Sequence, residues 1–303
     1  MLSRQDYECE LGKGINIYPF NKDNIKENSI NLTVGQYAWS LGSGKVWLTK
    51  NGNFVFGKDT NNSNLREVHL HKGSNAIIKI NSKHSILILL PHSTTIVETR
   101  EIIGLSNYIG GSVHSKVGVS AIGIGHIGTM LGPCFCGHLM IALHNITDKP
   151  IQLSTESTFA SMIFYKLNSS VLDNKNSNMT GHVDKLSELG IKVQSDTRKY
   201  LTEDWKQSLE GIRDKMSNDN EFIKYKEELK KKRQPRFKKY INAHNIFLAL
   251  ILLGIVLFLF WVVTYIDKRN NDTFWRGVYC PIVASVFILP LGENILKSFK
   301  KNY

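Results

Sequence analysis

The sequence predicts a mainly β domain followed by an α-helical connector and two transmembrane helices. Three observations carry this. Residues 1 to about 170 consist of short β-rich runs broken by Gly, Asn and Pro, without long helical periodicity. Residues 171–240 turn polar and helical, with a strongly basic end. Ile246–Ile266 is then an apolar run without a single charge.

In the first region, "SRQDYECELGKG" (3–14) is polar from the start, fits a short helix and carries no signal-peptide pattern. "HSILILL" (84–90), "HLMIALHN" (138–145) and "FASMIFYKL" (159–167) have strand composition, and "NGNFVFGKDTNNSNLR" (51–66) reads as a hairpin or loop. A chain of 303 residues with 42% hydrophobic content can bury one compact domain plus something extra. Its four cysteines, Cys9, Cys134, Cys136 and Cys280, are too few and too unevenly spaced for a disulfide framework, which favours a cytosolic N-terminal part.

The connector begins with the polar linker "NSSVLDNKNSNMTG" (168–181). "TEDWKQSLEGIRDKM" (202–216) has a Thr N-cap, acidic residues in its first turn and Lys215 at its end, the order expected of a helix. "NDNEFIKYKEELKKKRQ" (218–234) starts similarly and runs basic until Pro235 stops or bends it. Together they predict a helical stalk between a β domain at 1–170 and a membrane hairpin at 241–303.

Ile246–Ile266 is 21 residues long and apolar on all faces; a helix needs about 20 such residues to cross a bilayer. After the polar loop "DKRNNDTFWR", a second span is expected at Gly277–Leu296, where Pro281 and Pro290 are kinks that membrane helices tolerate. Lys/Arg excess at the outer ends of the hairpin places both termini in the cytoplasm and the hairpin in the cell inner membrane. Glu293 has two readings, a functional intramembrane carboxylate or a side chain that reaches the interface four residues before Lys297. The net charge is +12, and residues 224–240 supply +7 of it through nine Lys/Arg against Glu227 and Glu228. Placed directly before an apolar span, that run reads as a topology signal and a contact for anionic lipid rather than a nucleic-acid surface.

The opening 2–35 resembles the start of dCTP deaminases of the trimeric dUTPase superfamily: Leu2, Ser3 and Asp6, then Ile17, Pro19 and Phe20, then Ser29, Leu32 and Gly35, with Asn31 in place of the usual Asp. "GGSVHSKVGVSAIGIGHIGTMLGPCFCGHLMIALHN" (110–145) resembles the nucleotide-binding core of that family, and 154–167 takes the place of its closing strand. The resemblance covers residues 2–167. It implies a dUTPase-like distorted β-barrel or jelly roll and a homotrimer or higher homo-oligomer with nucleotide sites between subunits.

Residue by residue, the match keeps a scaffold and loses chemistry. Gly110, Ser112, Gly118, Pro133, Gly137 and Asn145 align with family positions, and Lys116 keeps the charge of an Arg without its planar fork. Gly111 and Val113 replace an Arg and a Ser that help hold phosphates. Gly132 replaces the family's turn Asp, and Ala142 the Glu that serves as general acid/base in the deaminases. From Ile102 to Thr147 there is no Asp or Glu at all, so no register restores the acids that activate water or hold Mg²⁺. The expectation is therefore a protein with no catalytic residues, no cofactor and no metal.

A binding site is expected to remain. Ser112, His114, Ser115 and Lys116 form a glycine-flanked polar loop suited to phosphate, His126 and Thr129 suit a base or sugar, and Asn145 closes the strand. Gly123, Gly125 and Gly128 either let a ligand approach the backbone or simply make turns. Cys134, Cys136 and His138 invite a metal reading, but Cys-x-Cys departs from common zinc spacing, and two buried thiols packing as small hydrophobes is the reading preferred. The resulting expectation is a membrane effector controlled by a nucleotide or cyclic oligonucleotide, similar in architecture to the membrane-disrupting effectors of antiphage systems. An active membrane-anchored deaminase or diphosphatase and a scaffold that binds no ligand are the alternatives.

Overall fold

A computed structural model describes residues 1–55, 65–82, 84–126, 128–171 and 183–233, with short stretches between 254 and 278. The chain divides into two compact units, Met1–Leu229 and Lys230–Tyr303. The expected spans Ile246–Ile266 and Gly277–Leu296 lie largely outside the described residues. No helix among the described residues is long and apolar enough to cross a membrane.

The first unit opens with α1 (Arg4–Glu10), the short helix expected from the sequence; its capping box pairs Ser3 with Asp6. There follow β1 (Ile15–Tyr18), a 3-10 turn (Lys22–Asn24), β2 (Ile30–Ser40), β3 (Gly44–Leu48), β4 (Phe54–Val55), β5 (Arg66–Leu70), β6 (Ile77–Lys79) and β7 (Ser85–Leu89). The central strands are β8 (Ser93–Leu105) and β9 (Ile109–Ser115). After α2 (Val117–Ala121) come β10 (Ile124–His126), β11 (Thr129–Leu131), β12 (Cys136–Asn145), β13 (Ile151–Ser154) and β14 (Thr158–Lys166). The strands read from 84–90, 138–145 and 159–167 are β7, β12 and β14. Most of the expected hairpin at 51–66 lies outside the described residues.

One eight-stranded antiparallel sheet runs β10-β12-β8-β2-β14-β9-β11, with β1 added on β8; two three-stranded sheets, β13-β7-β6 and β4-β3-β5, flank it. The sheet is interrupted where β2 shifts register between Val34 and Ala38 and β12 shifts between His138 and Met140, both opposite the middle of β8. Such bulges leave backbone N–H groups without ladder partners, and side chains of β8 take them. Glu98 Oε2 accepts from Gln36 N at 3.0 Å and Tyr37 N at 2.9 Å, and Thr99 Oγ1 accepts from Leu139 N at 3.0 Å. Gly35 is required here, because a Cβ at that position would stand 2.8 Å from Glu98 Oε2. The main core lies inside the curl and includes Tyr7, Leu32, Val97, Ile103, Leu143, Phe159 and Phe164.

The region read as a stalk differs from that expectation. It forms α3 (Val183–Glu188), α4 (Ser195–Leu201), a 3-10 turn (Asp204–Gln207), α5 (Leu209–Ser217) and α6 (Asn220–Arg233). Most of this chain packs on the β domain, because its apolar residues face the sheet: Leu186, Leu201 and Ile212 are buried in contacts with it, and Met216, Phe222 and Tyr225 join the main core. Phe20 packs on both Phe222 and Tyr225, and Lys22 Nζ reaches Glu228 at 2.6 Å. Thr202, expected to start a helix, ends α4 instead, and α5 starts at Ser208, whose hydroxyl accepts from Gly211 N at 3.1 Å. The break lets Trp205 turn onto the sheet beside Tyr18 while Glu203 takes its indole N–H.

Candidate functional site

The seven residues proposed for a ligand lie where the ends of the curled sheet come together. Ser112, His114 and Ser115, expected in a polar loop, sit instead on strand β9, because the segment pairs on one side with β14 and on the other with β11, which carries Thr129 opposite Val113. His126 sits on β10 opposite Leu143, and Asn145 ends β12 opposite Ile124. Although β10 and β11 are at opposite ends of the strand order, only residues 127–128 separate them in the chain.

Ser112 Oγ lies 2.8 Å from His114 Nε2 and 3.0 Å from the Tyr165 hydroxyl. Period-2 geometry puts Ser112 and His114 on the same face of β9, and Ser161, opposite His114, continues that face to Asn31 through a 2.9 Å bond. Lys116 immediately precedes α2 without a side-chain cap bond, and its ammonium donates to Thr158 Oγ1. This polar surface offers hydroxyls, an imidazole and a cation, a donor set suited to an anion. Asn145 requires a correction. Its Nδ2 donates to the Leu89 and Lys149 carbonyls, and its Oδ1 accepts from Thr147 N and Thr147 Oγ1. All four hydrogen-bonding capacities are used within the chain, so this amide builds a turn and presents nothing to a ligand.

Gly123 has φ +91°, and a Cβ there would come within 2.2 Å of Thr147 Cγ2, so a turn and its packing require this glycine. At Gly132 a Cβ would meet nothing within 4 Å. Ala142 lies on β12 opposite Ile96. Cys136 is buried against Ile102 and Ile212, and no group of three metal-ligating side chains occurs among the described residues.

Two carboxylates lie just before the acid-free stretch and escaped sequence reasoning. Glu98 and Glu101 are 0% and 4% exposed on β8, and their spacing of three places them on opposite faces of the strand. Glu101 accepts from Thr33 N at 2.8 Å and Thr33 Oγ1 at 2.7 Å, and burial pushes its carboxyl up despite those bonds. It borders a cleft of about 280 Å³ lined also by Phe20, Asn24, Arg100, Asp219 and Glu221. Glu98 Oε1 lies 3.0 Å from His138 Nδ1, which also contacts the Thr99 carbonyl at 2.8 Å. The Tyr200 ring lies tilted beside His138 with ring centres 5.3 Å apart, and burial, then Glu98, pushes its phenol up. Lys206, 2% exposed, is pushed down by burial against the opposing pull of Glu203 and Glu98. The available signal was two acids in the apolar strand "STTIVETREIIGL", since a buried acid needs partners.

A family profile described as dCTP deaminase-like matches residues 1–167. The chain is 22% identical over 155 residues to a dUMP-forming dCTP deaminase of Methanospirillum hungatei, covering 50% of this chain and 72% of that protein. The crystal structure of 2'-deoxycytidine 5'-triphosphate deaminase from Agrobacterium tumefaciens superposes with a TM-score of 0.37 at 17% identity, over 64% of this chain. The match spans about half of that enzyme's length, 54%. Native EIAV dUTPase matches with a TM-score of 0.26 at 18% identity, over 34% of this chain and 93% of its own.

Proposed function

The chain belongs to the dCTP deaminase-like family through residues 1–167, and on that footing we propose that it is a nucleotide-sensing membrane effector acting in antiphage defence. Its β domain binds a nucleotide or cyclic oligonucleotide without turning it over, assembles as a homotrimer or higher homo-oligomer, and controls a two-helix hairpin that disrupts the inner membrane. Both termini are cytoplasmic, and residues 224–240 contact anionic lipid.

One observation carries the reading. Gly132 and Ala142 stand where the resemblance calls for a turn Asp and a strand Glu, within a turn and strand that keep Pro133, Gly137 and Asn145. Ser112 and Lys116 likewise bond to hydroxyl or imidazole groups, His114, Tyr165 and Thr158. General acid–base assistance contributes roughly 10²–10⁴ in rate, so a site stripped of acids while keeping anion donors is suited to binding alone. Ligand bound between subunits would favour one arrangement of the domains and, through it, of the hairpin.

Calorimetry of the full-length protein with dCTP, dUTP and a panel of cyclic oligonucleotides, alongside deamination and hydrolysis assays with Mg²⁺, tests this. Binding without turnover is expected. Turnover abolished by changing Lys116 or His126 would assign an active membrane-anchored enzyme, the reading favoured by the activity named for the Methanospirillum relative. Absence of binding by a well-folded oligomer would assign a scaffold. Expression of the full chain is expected to depolarise cells, and removal of 241–303 to leave a soluble protein.

A further inference from the structure

Helices α3, α4 and α5 and the intervening 3-10 turn cover one face of β2, β8 and β12 through two apolar patches. One joins Trp39, Ile96 and Met140 of the sheet to Val183, Leu186 and Leu201. The other joins Ile102 and Cys136 to Trp205, Leu209 and Ile212. Ile96, Glu98 and Ile102 fall on the same face of β8, so a polar seam runs between the patches. Glu98 and His138 enter it from the sheet; Tyr200, Glu203 and Lys206 enter it from the covering segment. The Lys206 ammonium donates to the Tyr200 carbonyl, stands 3.4 Å from the centre of the Tyr200 ring and lies 3.7 Å from Glu203.

The seam is incompletely satisfied. His138 Nε2 is buried with no hydrogen-bond partner, while Glu98 Oε1 lies 3.0 Å from His138 Nδ1. Charges removed from water on these terms contribute little to stability and can oppose it, which leaves the two small patches to hold the segment down. The next helices are held differently. Met216 of α5 and Phe222 and Tyr225 of α6 belong to the main core with Tyr7, Ile17 and Phe20. Ile17 N also donates to Met216 Sδ at 3.3 Å, and Tyr225 donates to Glu8.

We propose that residues 183–209 form a releasable strap, lifting from β8 and β12 as a unit while α6 stays docked, with the buried charges of Glu98 and Lys206 setting how readily it opens. Units that open below the global unfolding free energy are those with few buried apolar contacts, and here the boundary falls between the seam and the Met216 anchor. Opening takes Trp205 and Leu209 off the patch around Cys136, which is 7% exposed when the strap is down, and leaves Ile212 as its remaining cover.

The test uses the full-length chain with Cys9, Cys134 and Cys280 replaced by Ser, following alkylation of Cys136, and hydrogen exchange of the native chain. Cys136 is expected to react under native conditions with a weaker urea dependence than global unfolding, and amides within 195–209 to exchange at least about tenfold faster than those of Phe222–Leu229. Lys206→Met removes the buried cation that attracts both Glu203 and Glu98 and is expected to raise the alkylation rate at least about tenfold, whereas Glu98→Gln with Lys206→Met should return it to within about threefold of the native rate or below it. Reaction of Cys136 only in parallel with global unfolding would overturn the proposal, as would an unchanged rate in Lys206→Met. If that variant does not fold, the urea dependence of the native chain decides alone.

Discussion

Oε1 of Glu98 and Nδ1 of His138 lie 3.0 Å apart with neither side chain exposed, in the middle of a sheet that both neighbouring strands meet with a register shift. The carboxylate has two functions there: one oxygen receives the two amides that the β2 irregularity frees, and the other faces the imidazole. Each buried donor left without an acceptor costs about 1–3 kcal/mol. Glu98→Ala is therefore expected to destabilise the β domain by about 3 kcal/mol or more, measured by chemical denaturation. Loss of under about 1 kcal/mol would show that water replaces the carboxylate at those amides.

Glu101 gives a pH signature. Burial raises its folded-state pKa, so the proton is bound more tightly in the folded chain than in the unfolded one. Its stabilising contribution is fully present below the ordinary carboxyl value of 4.5 and is lost as pH rises through the raised value. Relative to the native chain, Glu101→Gln should be most stable at neutral pH, with that advantage shrinking on acidification towards pH 4.5. Thermal unfolding of both proteins across this range checks it; an advantage that grows on acidification contradicts the assignment.

The glycines separate into those that the backbone requires and those that it does not. Gly123→Ala meets Thr147 Cγ2 at 2.2 Å in a left-handed conformation, and a loss of about 1–3 kcal/mol is expected from strain and displacement. Gly132→Ala meets nothing within 4 Å and should change stability by about 0.5 kcal/mol or less. Comparing the two denaturation midpoints tests the geometry of the closure without reference to any ligand.

Lys116 and Asn145 should separate binding from folding. Lys116→Ala removes a cation whose ammonium donates to the Thr158 hydroxyl, so stability should hold while affinity for a phosphate-bearing ligand falls about tenfold or more, the cost of one charge-assisted bond. Asn145→Ala removes four internal hydrogen bonds and should lower the melting temperature first. Equal loss of affinity with unchanged stability in both variants would return Asn145 to the ligand.

Local pattern alone determined the β character of residues 1–170, the helix after Ser3 and the strands at β7, β12 and β14. These follow from periodicity, capping chemistry and glycine content, which act over a few residues. The sequence also marked the acid-free stretch from Ile102 to Thr147. Tertiary structure alone decided that Asn145 spends its amide on Leu89, Lys149 and Thr147, that Glu98 and Glu101 become buried groups on opposite faces of β8, and that the segment read as a stalk folds back as a covering layer. Each depends on pairings between residues tens to two hundred positions apart, such as Glu98 with His138 or Phe20 with Tyr225. Polar linkers and solvated helices have the same local composition as helices docked by a few apolar residues. Only the register of the sheet, with its interruptions beside Glu98, determines which apolar side chains find a surface to cover.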